Sequence, residues 1–205
     1  MSESRPAQFV AVFDFGAQYG QLIARRVRDL HVYSEIVPCD ISADELAAMA
    51  PSAIILSGGP ASVYADDAPD MDEKVFSLGI PIFGFCYGQQ IMAVKLGGTV
   101  GHTEKGEYGP ARLARHGHCR ILAETPDFQT VWMSHRDAVS EVPEGFTVTA
   151  STDTCPVAAM EDASRNLYAT QFHPEVRHTA YGHKMLENFL FKVCGLTQPR
   201  TMESI

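Results

Sequence analysis

Residues 80–96 read IPIFGFCYGQQIMAVKL, and this stretch decides the fold. Ile80 to Phe85 is a near-continuous apolar run of strand length. From Tyr87 to Leu96 the pattern becomes helical, and Gly97-Gly98 follows as a stop. A strand running straight into a helix is the building unit of a parallel sheet. At the junction lies Gly84-Phe85-Cys86-Tyr87-Gly88, a G-x-C-x-G that is the cysteine counterpart of the nucleophile elbow G-x-S-x-G. Glycines are expected beside the cysteine because the turn is tight and side chains there would clash. The helix turns its free N–H groups and positive dipole end toward the sulfur, which favours thiolate over a thiol of ordinary pKa about 8.5. Most cysteines are simply small buried hydrophobes. Here the two glycines, the strand-to-helix switch and the carboxyl end of a parallel strand coincide, which is where open α/β folds bind ligands.

Outward from this stretch, strand and helix patterns alternate. Phe9 to Phe15 (FVAVFDF) reads as a strand, and Tyr19, Leu22, Ile23, Val27 and Leu30 are spaced for one helix face. Tyr33 to Val37 is a second strand. Ser42-Ala43-Asp44-Glu45 is a capping box that opens a short helix ended by Pro51. Ala53 to Ser57 is a buried-type strand stopped by Gly58-Gly59-Pro60. Pro69 and the acidic run through Glu73 predict a helix ending near Gly79. Between Tyr108 and Phe172 the texture changes to short alternating segments: Thr130 to Ser134, Phe146 to Ala150, Val157 to Met160 and Leu167 to Gln171, with Glu161 to Asn166 as a turn. Thr179 to Cys194 is a closing helix with Met185, Leu186, Phe189, Leu190 and Val193 on one face and Gly195 as its stop. The expected fold class is α/β: an open, mostly parallel or mixed sheet with helices on both faces, plus a small antiparallel portion.

The composition narrows the function. A length of 205 residues, 45% hydrophobic and 20% charged, fits one globular domain, expected over residues 1–195. The formal net charge of −9 has the wrong sign for holding nucleic acid or an anionic membrane. The apolar runs fall far short of the roughly 20 residues that span a bilayer. Five cysteines, at 39, 86, 119, 155 and 194, form an odd set without a C-x-x-C pair, so a reducing, cytoplasmic setting is expected.

A cysteine nucleophile needs a base. In Phe172-His173-Pro174-Glu175, His173 and Glu175 stand two apart in extended backbone and point to one side, so Glu175 can orient and charge-stabilise the imidazole. Ser57-Gly58-Gly59-Pro60 ends another buried strand, and the N–H groups of Gly58 or Gly59 with that of Tyr87 are candidate oxyanion donors. Other clusters read as ordinary structure. His116-Gly117-His118-Cys119 fits no standard zinc spacing and is expected to be loop. His173, Glu175 and His178 resemble metal ligands, but no acidic cluster accompanies them. Gly16 to Gly20 does not satisfy G-x-G-x-x-G, and Arg25, Arg26 and Arg28 suit a solvated helix face.

The chain resembles the class I, triad-type glutamine amidotransferases, and within them the amidotransferase domains of GMP synthases. The resemblance rests on FDFGAQYGQLIARRVRDLHVYSEI at 13–36, ILSGGPASVY at 55–64, PIFGFCYGQQ at 81–90, VWMSHRD at 131–137 and QFHPEVRHTAYGHKMLENF at 171–189. It implies Cys86 as nucleophile, His173 as acid/base and Glu175 as its orienting carboxylate. Gly58, Gly59 and Tyr87 become oxyanion contacts, and Gln90 helps to hold glutamine. The segment Ser134-His135-Arg136-Asp137 meets the amino acid end of the substrate, with Arg136 where glycine is common. Gly106 likewise stands where the family often has arginine.

The implied reaction is hydrolysis of L-glutamine to glutamate and ammonia through a Cys86 thioester, without metal or cofactor. The ammonia serves an ATP-using synthetase module, itself Mg-dependent, that aminates xanthosine monophosphate to GMP. This module is expected in a longer chain or a separate subunit, and residues 196–205 resemble the start of a connector to it. Two alternatives stand beside this reading: a stand-alone thiol hydrolase of γ-glutamyl substrates, and an inactive glutamine-binding or interaction module.

Overall fold

The computed structural model describes residues 4–16, 18–60 and 62–198, so the expected connector lies, beyond Gln198, outside the described residues. Among the described residues, nine strands form one mixed sheet. They are β1 (Phe9–Asp14), β2 (Tyr33–Pro38), β3 (Ala53–Leu56), β4 (Ile82–Phe85), β5 (Thr99–Arg115), β6 (Phe128–Glu141), β7 (Thr147–Ser151), β8 (Ala159–Asp162) and β9 (Leu167–Thr170), in the spatial order β2-β1-β3-β4-β9-β8-β7-β5-β6. From β2 to β9 neighbours run parallel, and from β9 to β6 they run antiparallel. The all-apolar runs β3 and β4 are buried on both faces because helices cover both.

Side-chain alternation divides the core into two layers. Val10 and Val12 face one layer with Ile23 and Val27 of α1 (Tyr19–Asp29) and Met185 and Leu186 of α4 (Gly182–Glu187). Phe9, Ala11 and Phe13 face the other, with Leu46 of α2 (Ala43–Met49) and Ile91 and Met92 of α3 (Tyr87–Lys95). The Ser42 hydroxyl caps α2 by accepting from the Glu45 N–H. Among the described residues no helix is long and apolar enough to cross a membrane.

Three elements depart from the sequence expectation. The helix predicted after Pro69 is one short 3₁₀ segment, Glu73–Ser77. Its start is set by the Asp72 carboxylate, which accepts from Lys74 N–H and also from Ala43 N–H at the start of α2. The strands β5 and β6 form a long ribbon where short segments were expected. Their alternation is interrupted by a register shift between His102 and Glu107, and glycines and charges on the exposed face hide the pattern. The closing helix starts at Gly182 rather than Thr179, because Thr179 is held out of it. Its hydroxyl donates to the His173 carbonyl at 2.6 Å and accepts from Trp132 N–H at 3.1 Å. That helix ends in a π turn, Asn188–Val193, where Asn188 donates to the carbonyls of Ile121 and Ala123.

Candidate active site

Cys86 follows the last residue of β4 and precedes the first turn of α3. Its backbone lies at φ 53°, ψ −108°, a strained conformation for a residue with a side chain. The flanking glycines are required by close approach. A Cβ on Gly84 would lie 2.7 Å from the Gly88 carbonyl oxygen, and one on Gly88 would lie 2.6 Å from that of Leu56. The Cys86 N–H donates to Thr170 of β9 at 2.8 Å, tying the turn to the strand that leads to His173. The sulfur lies 3.6 Å from the Ser134 carbonyl oxygen and 3.5 Å from Nε2 of Gln171.

His173 and Glu175 follow β9, the parallel neighbour of β4, so adjacent strand ends bring the cysteine and the imidazole to one edge of the sheet. His173 Nδ1 meets Glu175 Oε1 at 2.7 Å, with both side chains almost wholly buried. Burial opposes charging of the imidazole. The Glu175 charge and the hydrogen bonds with Cys86 and Glu175 outweigh it, holding the His173 pKa well above its ordinary value. Glu175 Oε2 has no hydrogen-bond partner among the described residues, so the carboxylate's charge is compensated mainly through the imidazole. Arg26 Nε donates to the Glu175 carbonyl at 2.9 Å, which fixes the backbone beneath the carboxylate. Arg25 and Arg28 are exposed as expected for a solvated face, but Arg26 is half-buried and structural.

A cavity of about 230 Å³ opens over the sulfur, lined by Gly59, Pro60, Cys86, Tyr87, Gln90, Tyr108 and the segment Ser134 to Arg136. Gly59 packs so closely that a Cβ would lie 2.9 Å from the Tyr87 ring, and a Cβ on Gly58 would lie 3.0 Å from His173 Cε1. The Tyr87 N–H belongs to the first turn of α3, where intrahelical acceptors are lacking. Gln90 is buried beside the cavity, its amide donating to the Asp137 carbonyl at 2.9 Å and to Gln171 Oε1 at 3.2 Å. The His135 ring is anchored beside the cavity, with Nε2 2.8 Å from Glu107 Oε1 and Nδ1 2.9 Å from the Asp137 carbonyl. The Asp137 carboxylate does not line the cavity and meets His102 Nδ1 at 2.8 Å.

The remaining candidates stay apart. His116 and His118 are exposed in a loop, and His178 stacks on Trp132 at 4.8 Å between centroids. Glu107, His135 and Cys155 form a group with potential metal-ligand atoms within 4.8 Å of one another. Its atoms are engaged otherwise, since Glu107 already binds His135 and Thr152, and burial followed by the Glu107 charge pushes the Cys155 thiol up to about 12. Gln171, Tyr19, Arg26 and His102 were not legible as site residues in the sequence. Only Gln171, standing directly before the F-H-P-E stretch, carried a positional signal.

The glutamine amidotransferase class-I family model matches residues 11–193. The chain is 54% identical over 198 residues to the glutamine-hydrolyzing GMP synthase of Streptomyces avermitilis, covering 96% of this chain and 38% of that protein. It is 50% identical over 195 residues to the GMP synthase of Bacillus cereus (strain AH820), covering 95% of this chain and 38% of the relative. Among solved structures, a putative GMP synthase subunit from Thermoplasma acidophilum aligns at 33% identity with a TM-score of 0.81, over 94% of this chain and 96% of that one. A glutamine amidotransferase from Thermotoga maritima shares the fold at 17% identity and a TM-score of 0.73, over 93% of this chain and 99% of its own. The chain thus spans 38% of the length of the curated relatives it matches. With the family pattern covering the elbow, the Gly58-Gly59 loop and the H-P-E together, the chain belongs to the class I glutamine amidotransferases.

Proposed function

We propose that the chain is the glutaminase half of a GMP synthase. The observation that carries this reading is the meeting of Cys86, His173 and Glu175 at the ends of β4 and β9, with Cys86 lining a cavity that Gly59 and Tyr87 also line. The Cys86 thiolate attacks the side-chain amide carbon of L-glutamine, and the N–H groups of Gly58 or Gly59 and Tyr87 receive the developing oxyanion. The His173 imidazolium, whose charge Glu175 supports, gives its proton to the leaving nitrogen. Ammonia departs and a γ-glutamyl thioester remains. Neutral His173 then takes a proton from water as it attacks the thioester, releasing glutamate and regenerating the thiolate–imidazolium pair. Thiol, imidazole and backbone donors supply every step, so this half needs neither metal nor organic cofactor. Gln90, Ser134 and Arg136 hold the substrate, while His135 and Asp137 anchor that segment through Glu107 and His102.

The similarity to GMP synthases supports a destination for the ammonia: an ATP- and Mg-using synthetase module that aminates xanthosine monophosphate, in the same longer chain or as a separate subunit. The test is glutamine hydrolysis by this chain alone and with such a module and its nucleotide, beside Cys86→Ala. Slow turnover alone, strong stimulation by the module and loss of both in Cys86→Ala are expected. Full activity without the module would favour a stand-alone hydrolase. Absence of turnover and of covalent labelling at Cys86 by a glutamine-analogue electrophile would leave only a binding role.

A further inference from the structure

Gln171 directly follows the buried strand β9 and is itself wholly buried, although its side chain is polar. Alternation sends Leu167 and Ala169 into the core layer of α3 and Tyr168 and Phe172 into the opposite one, so the Gln171 side chain emerges toward α3. Its main chain is pinned on both sides: the Cys86 N–H donates to the Thr170 carbonyl and the Gln171 N–H to that of Ala158, each at 2.8 Å. Oε1 accepts from Gln90 Nε2 at 3.2 Å, and Nε2 donates to the Cys86 sulfur at 3.5 Å. The orientation of this amide is set by its neighbours. The Asp137 carbonyl can only accept, so the Gln90 NH2 group faces it, at 2.9 Å, and turns its second hydrogen to Gln171. The Gln171 oxygen must therefore face Gln90, which leaves its NH2 group against the sulfur.

The sulfur thus lies among groups of opposite preference. The Ser134 carbonyl oxygen, at 3.6 Å, can accept from a thiol and repels a thiolate. The His173 imidazolium and the Gln171 amide both favour the thiolate. Arg136 lines the same cavity, and the nearby Cys155 thiol, pushed up to about 12 by burial and then by the Glu107 charge, stays neutral. The His173 proton passes to the leaving nitrogen during turnover, whereas the amide keeps its hydrogens throughout. We propose that Gln171 is a further catalytic residue, whose amide N–H stabilises the Cys86 thiolate as nucleophile and again as leaving group, and that Gln90 positions it. When the sulfur attacks glutamine, its electron pair becomes the C–S bond. When water cleaves the thioester, that pair returns to the sulfur and meets the same N–H. A hydrogen bond to a charged acceptor is about twice as strong as one to a neutral acceptor, so the amide favours both thiolate states over the thioester between them. The inference rests on the reading of Cys86 as the nucleophile of a glutaminase.

The test follows alkylation by iodoacetamide as a function of pH and reads Cys86 by peptide mass, which separates it from the other free cysteines. In Gln171→Met, which keeps the length without a donor, the rate profile at Cys86 is expected to move to higher pH by about one unit. Gln171→Glu keeps the shape and the oxygen that Gln90 needs but sets a carboxylate against the sulfur. Its profile moves further than that of Gln171→Met. With the synthetase module present, its kcat falls roughly 10- to 100-fold while KM for glutamine changes by less than about threefold. A packing role predicts the reverse order, because methionine breaks the bond to Gln90 and glutamate preserves it. Parent-like profiles in both variants, or a shift in Gln171→Met alone, overturn the inference and leave the glutaminase reading standing. If neither variant folds, the parent decides by NMR: the Gln171 side-chain amide proton shifts at the pH midpoint of Cys86 alkylation, and one that ignores this midpoint overturns the inference. A parent that neither hydrolyses glutamine with the module nor takes a glutamine-analogue electrophile at Cys86 overturns the glutaminase reading, and the catalytic role of Gln171 falls with it.

Discussion

The ring of Tyr19 stacks on the imidazole of His173, with centroids 4.8 Å apart and planes inclined by 29°. Tyr19 opens α1, so the helix that follows β1 delivers an aromatic face to a histidine that follows β9. Gly58 makes room for the pair, since a Cβ there would lie 3.0 Å from His173 Cε1 and 3.3 Å from Tyr19 Cδ2. A cation over an aromatic face gains about 0.5–2 kcal/mol, so this stacking favours the imidazolium. Tyr19→Leu is expected to lower kcat/KM by roughly 2- to 30-fold. It also moves the alkaline limb of the pH–rate profile to lower pH. Tyr19→Phe keeps the ring and nearly all of the activity. An unmoved alkaline limb in Tyr19→Leu would reduce the contact to packing.

The raised pKa of His173 makes stability depend on pH in a defined direction. An unfolded histidine titrates near pH 6.5, whereas the folded one holds its proton well above that. The stabilisation from the His173–Glu175 pair is therefore fully present below about pH 6.5 and is lost as pH rises through the folded pKa. Glu175→Gln removes the charge that sustains it. The difference in melting temperature between the parent and Glu175→Gln should be largest between about pH 5 and 6.5 and should narrow at higher pH. A difference independent of pH would show that Glu175 stabilises by packing alone.

Cys86 adopts φ 53° while carrying a Cβ. Strained backbone of this kind costs about 1–3 kcal/mol, and glycine avoids most of that cost at the expense of some chain entropy. Both Cys86→Gly and Cys86→Ala are expected to abolish glutamine hydrolysis. Their stabilities differ, because alanine keeps the strain and glycine relieves it. Cys86→Gly should exceed Cys86→Ala by about 1 kcal/mol in urea denaturation. Equal stabilities would mean that the elbow is not strained by the Cβ.

Local pattern carried the parallel half of the sheet and the elbow. The runs at 9–13, 53–56 and 82–85 are uniformly apolar because both of their faces are covered, and the glycines around Cys86 mark a turn whose neighbours touch backbone. The long β5–β6 ribbon was not legible. Its outer face meets solvent, and the shift between His102 and Glu107 breaks the period that would have announced it. The Thr179 hydroxyl, bonded to His173, likewise delayed a helix whose apolar spacing began earlier.

The sequence by itself determined that a cysteine sits on a tight strand-to-helix turn, that a histidine and a carboxylate follow another strand, and that a double-glycine loop ends a third. Each of these is a short-range pattern of backbone geometry and spacing. That β9 lies beside β4 was decided only by the tertiary structure. So were the stacking of Tyr19 on His173, the placement of Arg26 under Glu175, the bond from Gln171 to the sulfur, and the position of His102 between Arg136 and Asp137. Strand order and side-chain contacts across 30 to 160 or so residues depend on how two core layers pack on one sheet, and no local period encodes them.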